Sequence, residues 1–275
     1  MNDDLPKIAV IGTCRVHKPI EDLGDRGVIS IHTGGLNFYV QSPGEIRKKI
    51  SVLRNESEYV PDLFEFISDS DISKVPQGFD FNEADIIVIE VSSTKELELE
   101  GEFLQRDRII SKFIGNDEVR KKWWNGINRN ESIGKRVRNI AEETPDGLNE
   151  IEENIFNKMT FKIMIKEDIK NSIRSIINLF ARKDKILLVT HINTRLNGSG
   201  DFMARRIGGI AAIEEIASEL GVRVFNPTAI LEKIPQDILM ENGGKDMHHY
   251  SKEMIGSVGE WLWEYHIIPM LDERI

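Results

Sequence analysis

The stretch Lys7-Ile8-Ala9-Val10-Ile11-Gly12-Thr13-Cys14-Arg15 decides the fold. An unbroken apolar run from Ile8 to Ile11 reads as a strand buried on both faces, the kind found inside a parallel sheet. The small-residue turn that follows falls at the carboxyl edge of that sheet, where open α/β folds bind their ligands. The turn presents Cys14, the single cysteine of the chain, so no intrachain disulfide can claim it. A thiol at the start of the next helix is expected to have its pKa lowered by the helix N-terminus, with Arg15 and His17 adding positive or titratable character. Gly12-Thr13-Cys14 lacks the Gly-x-Gly-x-x-Gly fingerprint, so a Rossmann-type dinucleotide cofactor is not expected.

Working outward, Val28–His32, Asp85–Val91, Lys185–Thr190 and Val222–Phe225 read as further strands, most of them nearly continuous in Ile, Val and Leu. Between them the spacing predicts helices over Glu45–Leu53, Leu97–Phe113, Asn149–Arg182, Met203–Leu220 and Gly256–Leu271. Gly221 stands where a helix-ending residue is expected. Strands alternating with helices imply right-handed crossovers. The predicted fold class is therefore α/β, a three-layer α/β/α sandwich around a five-stranded, mainly parallel sheet. Residues 1–275 are read as a single domain with a helical insertion or lid at about 95–148.

Composition narrows the function. A hydrophobic fraction of 40% and a charged fraction of 30% suit a soluble globular chain. The net charge of −10 argues against broad nucleic-acid binding. Arg120, Lys121, Lys122, Arg129, Lys135, Arg136 and Arg138, interleaved with Trp123 and Trp124, form a local basic stretch. It is read as an amphipathic helix and loop with buried tryptophans and solvated charges. No run approaches the roughly 20 apolar residues of a membrane span, and the N-terminus does not read as a signal peptide. With one cysteine, a cytoplasmic location is expected.

Polar residues collect at the predicted strand ends. Near the C-terminus, Asp246-Met247-His248-His249-Tyr250-Ser251 places a carboxylate three residues before an imidazole. That spacing lets the carboxylate fix one tautomer of a general base. His248 competes with His249 for that role, and Ser251 is also a candidate N-cap for the last helix. Gly34-Gly35 follows the second strand and offers backbone amides as oxyanion donors. Ser92 and Ser93 follow the third strand, and His191 and Asn193 the fourth. Their convergence on one sheet edge is the strongest sign of a site.

These blocks, in this order, resemble the SGNH/GDSL hydrolase superfamily. The resemblance implies a flavodoxin-like sheet, Cys14 as nucleophile, His249 as base and Asp246 as its orienter. It also implies the Cys14 and Gly35 amides as oxyanion donors. Two departures stand out: Cys14 replaces the usual serine, and Glu90-Val91-Ser92-Ser93 stands where the superfamily has Gly-x-Asn-Asp. Asn193, Ser92 or Ser93 is the expected substitute for the missing asparagine. Cysteine in the first block is similar to the WcbI-like and GSCFA-type groups attached to bacterial polysaccharide biosynthesis.

The reading is an acyl-transfer enzyme, an esterase or thioesterase or an acyltransferase, acting on an acylated glycan or a coenzyme A thioester. No cofactor is required, and coenzyme A or acyl-coenzyme A is the one the site is expected to admit. The alternative is a weakly active or inactive protein that binds a sugar, nucleotide or coenzyme A, with Arg15, Arg195, Arg205 and Arg206 gripping anionic groups. A metal site built from Asp246, His248, His249 and His191 is not expected, because the adjacent histidines lack the helical spacing of zinc ligands.

Overall fold

The computed structural model describes residues 5–32, 38–127, 148–198 and 200–273. Its strands are β1 (Lys7–Ile11), β2 (Ser30–Ile31), β3 (Ile86–Val91), β4 (Lys95–Leu99), β5 (Glu102–Leu104), β6 (Thr160–Ile163), β7 (Ile186–Thr190) and β8 (Arg223–Phe225). The longer helices are α1 (Cys14–Asp25), α2 (Pro43–Leu53), α3 (Glu118–Ile127), α4 (Glu150–Lys158), α5 (Lys166–Ile177), α6 (Ala204–Leu220) and α7 (Ile255–Leu262). They fall into two compact units, one of Met1–Gly35, Phe79–Ser93 and Lys166–Ile275, the other of Leu36–Gly78 and Thr94–Ile165.

The first unit is the predicted α/β layer structure. Its five strands are all parallel, in the order β2-β1-β3-β7-β8. Counted within this sheet alone, that is the flavodoxin-like order, whose ligand crevice opens where the winding reverses between the first and third strands. Alternation along the strands divides the core. Ile8, Val10, Ile86, Val88, Leu187 and Val189 pack with Val16, Ile20 and Leu23 of α1 and with Val258 and Leu262 of α7. α1 lies against α7, where Gly259 is needed because a Cβ there would meet the Pro19 carbonyl oxygen at 2.7 Å. α5 and α6 form a second packed pair. α6 stops at Gly221, whose φ of 66° is left-handed, as its place in the sequence suggested.

In the second unit the sequence reading needs correction. Leu97–Phe113 is not one helix: β4 and β5 pair antiparallel through Glu100-Gly101, with φ of 53° and 87°. Positive φ at both loop residues is the signature of a tight two-residue hairpin turn. Leu97-Glu98-Leu99 alternate with the period of a strand. Asn149–Arg182 is likewise broken. α4 ends at Lys158, β6 pairs antiparallel with β4, and α5 starts afresh at Lys166. The ladder of β6 on β4 overrides helical periodicity, which is a weak prior beside tertiary pairing. Trp123 and Trp124 are buried as expected, but Arg120 is not solvated: it donates to the Phe113 carbonyl and pairs with Glu152, with little of its side chain exposed. Arg129, Lys135, Arg136 and Arg138 lie outside the described residues.

At the C-terminus the helix predicted over Gly256–Leu271 starts at Ile255 and runs on through a π-turn, Trp263–Ile267, to Asp272. Ser251 stands at the N-cap position of a short 3-10 turn, Lys252–Met254, but its hydroxyl donates to the Ile238 carbonyl instead of capping. No helix among the described residues is long and apolar enough to cross a membrane.

Candidate functional site

The site forms at the reversal point of the parallel sheet. β1 and β3 run in register, with Val10 beside Val88 and Ile11 beside Ile89, so Gly12 comes level with Glu90. A Cβ on Gly12 would lie 2.6 Å from the Cβ of Glu90, which is why glycine opens this turn. Glu90 is fully buried and satisfied on both oxygens. One accepts from the Thr13 amide at 2.8 Å and the Thr13 hydroxyl at 2.5 Å. The other accepts from Arg15 Nε at 2.8 Å and from Arg15 Nη2 at 2.7 Å. The turn that carries Cys14 is thereby pinned from below by a buried ion pair.

Thr13 also caps α1, its hydroxyl accepting from the Arg15 amide. Cys14 is then the first helical residue, where an amide has no intrahelical partner. Cys14 lines a pocket with Arg15, Lys18, His249, Tyr250 and Ile255. The thiol does not behave as the helix N-terminus alone would dictate. Burial pushes it above its ordinary range, with Glu90 adding to the effect, and the nearby Arg15 and Lys18 charges offset this only in part. The expected lowering of the Cys14 pKa is corrected accordingly: a helix terminus helps a thiolate less than desolvation harms it here.

Across the pocket, the loop after Met240 shapes the second half. Asp246 Oδ1 accepts from the amides of His248 at 2.7 Å and His249 at 3.0 Å, and Oδ2 faces His249 Nδ1 at 2.9 Å. Partial burial works against the charge, but these hydrogen bonds hold the Asp246 carboxyl below its usual range. A carboxylate only accepts, so His249 Nδ1 carries a proton toward Asp246. No hydrogen bond joins His249 to the Cys14 sulfur; the two share the pocket wall.

His248 turns elsewhere. Its Nδ1 lies 3.3 Å from Arg206 Nη2, and its carbonyl accepts from Arg15 Nη1 at 3.2 Å. Arginine cannot accept, so His248 is neutral with its proton on Nε2. Burial and then the charges of Arg206 and Arg15 depress its pKa to about 4. His191 packs edge-on against His248, ring centroids 5.7 Å apart, and its Nδ1 is bonded to the Ile192 carbonyl. Burial, Arg15 and Arg206 hold it far below the usual imidazole range. His249 lines the Cys14 pocket and faces Asp246, whereas His248 is not among the residues lining it and bonds Arg206.

The remaining expected residues divide. Asn193 is buried and its side-chain carbonyl accepts from Met203 N, while its own amide donates to Thr228. It braces the entry to α6 and is not among the residues lining the Cys14 pocket. Ser92 and Ser93 are half-buried just past β3, also off the pocket lining. Gly35 lies outside the described residues. Arg195 bonds to its own loop and stacks over Phe202, and Arg205 is exposed. The ring nitrogens of His191 and His248 turn to other partners than Asp246. Glu241, Asp246 and His249 do place one ligand atom each within 4.8 Å of one another, but Asp246 and His249 already satisfy each other.

Sequence reasoning missed the role of Glu90 and the partners of Arg206, which it named only among four arginines for gripping anionic groups. Glu90 had a signal: a lone carboxylate inside the apolar strand Ile86–Val91, since charges are almost never fully buried unless paired. The partners of Arg206 had none, because they come from residues 192–194 and 247–248.

Residues 6–264 match the family described as the TviD N-terminal domain. The chain belongs to that family. Among curated proteins it is 25% identical, over 180 residues, to a Vi polysaccharide biosynthesis protein TviD of Salmonella typhi. The match takes in 63% of this chain and 21% of the relative's length, so the chain spans about a fifth of that protein. Cys14, Asp246, His248 and His249 all fall inside the segment matching the TviD N-terminal domain.

Proposed function

We propose that this TviD N-terminal domain chain modifies a polysaccharide by acyl transfer, with Cys14 as nucleophile, His249 as base and Asp246 as its orienter. One observation carries the reading: Cys14 and His249 line the same pocket while Asp246 holds His249 in the tautomer whose Nε2 can take a proton. Because burial raises the thiol, Cys14 rests as the neutral form. His249 Nε2 removes its proton as sulfur attacks the donor carbonyl. A carbon–sulfur bond forms, the donor's ester or thioester bond breaks, and the leaving group departs with the proton from His249. A sugar hydroxyl then gives its proton to His249 and attacks the acyl-enzyme, which frees the Cys14 thiol; water in place of the sugar would give hydrolysis. The relative's role in polysaccharide biosynthesis supports a glycan acceptor.

The test is mass spectrometry of the protein mixed with p-nitrophenyl acetate or acetyl-coenzyme A. One acetyl group should appear on Cys14 and nowhere in Cys14→Ala. Turnover should fall at least about a thousandfold in Cys14→Ala and in His249→Ala. Wild-type turnover retained in Cys14→Ala would refute the mechanism. The raised thiol favours a second reading, binding of a sugar, nucleotide or coenzyme A without turnover. Saturable binding with no acyl-enzyme at any pH would select it.

A further inference from the structure

Arg15 and Arg206 stand at the same sheet edge and are treated differently by the fold. Arg15 spends its guanidinium on Glu90, and both Glu90 oxygens are fully used. Arg206, in the first turn of α6, meets no carboxylate among the described residues. Its Nη1 donates to the Ile192 carbonyl at 3.0 Å, the Met247 carbonyl at 3.1 Å and the Thr194 hydroxyl at 3.3 Å. Its Nη2 donates to His248 Nδ1. A guanidinium has five N–H donors. The Nε–H and one Nη2–H therefore have no protein acceptor among the described residues. A half-buried cation held by neutral acceptors alone is costly, and its environment shows it: burial and the Arg15 charge bring the pKa of Arg206 down to about 9.

His248 sits under the same influence. Its Nδ1 accepts from Arg206, so the ring reports on what the guanidinium binds. The His248 ring lies 6.5 Å from that of His249, which lines the Cys14 pocket, and Arg15 joins the two regions by lining that pocket and bonding the His248 carbonyl. Asp246 forms no ion pair with Arg206; it is engaged by His249 and by two backbone amides.

We propose that the two donors of Arg206 left without a protein acceptor, its Nε–H and one Nη2–H, form an anion-binding subsite beside the Cys14 pocket, which receives a carboxylate or phosphate of the substrate. Neighbouring guanidinium donors suit a two-oxygen anion held in a fork. A carboxylate would belong to an acidic sugar of the acceptor, a phosphate to a nucleotide or coenzyme A donor. The subsite rests on the acyl-transfer reading only for calling its ligand a substrate.

The experiment is a titration of the wild-type chain with glucuronate, coenzyme A and glucose, followed by the ¹⁵N resonances of the histidine side chains. At least one of the two anions should bind more tightly than glucose and shift His248 Nδ1, which accepts from the same guanidinium. Arg206→Gln should weaken that anion about tenfold or more and leave any glucose binding unchanged. Binding of glucuronate alone assigns the subsite to a carboxylate, and binding of coenzyme A alone to a phosphate. Should Arg206→Gln fail to fold, Arg206→Lys, which keeps the charge and loses the fork, should still weaken the anion, and the wild-type His248 shift needs no variant. Anions that bind no better than glucose, or an unmoved His248 resonance at saturation, overturn the subsite. Cys14→Ala should bind the anion as wild type does. Anion binding without an acyl-enzyme would thus sink the Cys14 mechanism and spare the subsite, and an acyl-enzyme without anion binding would do the reverse.

Discussion

Two places in the molecule, one in each compact unit, bury ionisable side chains and resolve the cost in opposite ways. In the parallel-sheet unit, Glu90 and Arg15 neutralise one another, and every Glu90 oxygen is hydrogen-bonded. In the other unit, Glu45 and Lys49 lie a turn apart on α2, both buried, and each is satisfied by neutral groups. Glu45 closes the capping box with Ser42 and accepts from the Gln41 amide. Lys49 donates to the Phe38 carbonyl at 2.7 Å and lies over the Phe38 ring. Burial raises the Glu45 pKa to about 7, against the pull of its hydrogen bonds, and lowers that of Lys49 to about 7. A paired buried charge fixes geometry; an unpaired one surrenders its charge. The first arrangement stands under the turn that carries Cys14, where position matters.

The sharpest way to break this contrast is Glu90→Gln. It strands Arg15 as a buried cation and should cost about 3–5 kcal/mol in urea unfolding, with loss of Cys14 acylation. A cost below about 1 kcal/mol would mean the pair does not organise the turn. Lys49→Met should act in the opposite direction, stabilising by about 1–3 kcal/mol near neutral pH, because a desolvated ammonium is replaced by an apolar chain of similar length. Destabilisation would show instead that the Phe38 hydrogen bond outweighs burial.

The pH dependence tests the same pair more finely. The folded pKa of Glu45 is raised, so between about 4.5 and 7 the native state holds more of a proton than the unfolded chain and stability falls as pH rises. The folded pKa of Lys49 is lowered, so between about 7 and 10.5 the unfolded chain holds more and stability rises with pH. Together these groups contribute least near neutrality. Thermal unfolding at about pH 5, 7 and 9 should show Glu45→Gln flattening the acid limb and Lys49→Met the alkaline limb. The smallest stability effect belongs to Asp246→Asn, within about 1 kcal/mol because the His249 it faces is largely exposed. Turnover should nonetheless fall on the order of 10²- to 10⁴-fold, since the His249 tautomer is no longer held.

The sequence by itself determined the parallel sheet and the local contact between Asp246 and His249. Buried strands announce themselves as apolar runs, and a carboxylate three residues from an imidazole can meet it within a single turn, as Asp246 meets His249. It also ended α6 at Gly221, because a left-handed residue is a local requirement. The hairpin at Glu100-Gly101 was equally local, yet it lay hidden because Leu97, Leu99, Phe103 and Leu104 fit helical spacing as readily as strand alternation. Only the tertiary structure decided the rest. The Glu90–Arg15 pair joins residues 75 apart in the chain, and the Arg206–His248 contact residues 42 apart. The same is true of the thiol's acidity: helix position argued for a lowered pKa, and burial, which depends on every neighbour at once, reversed it.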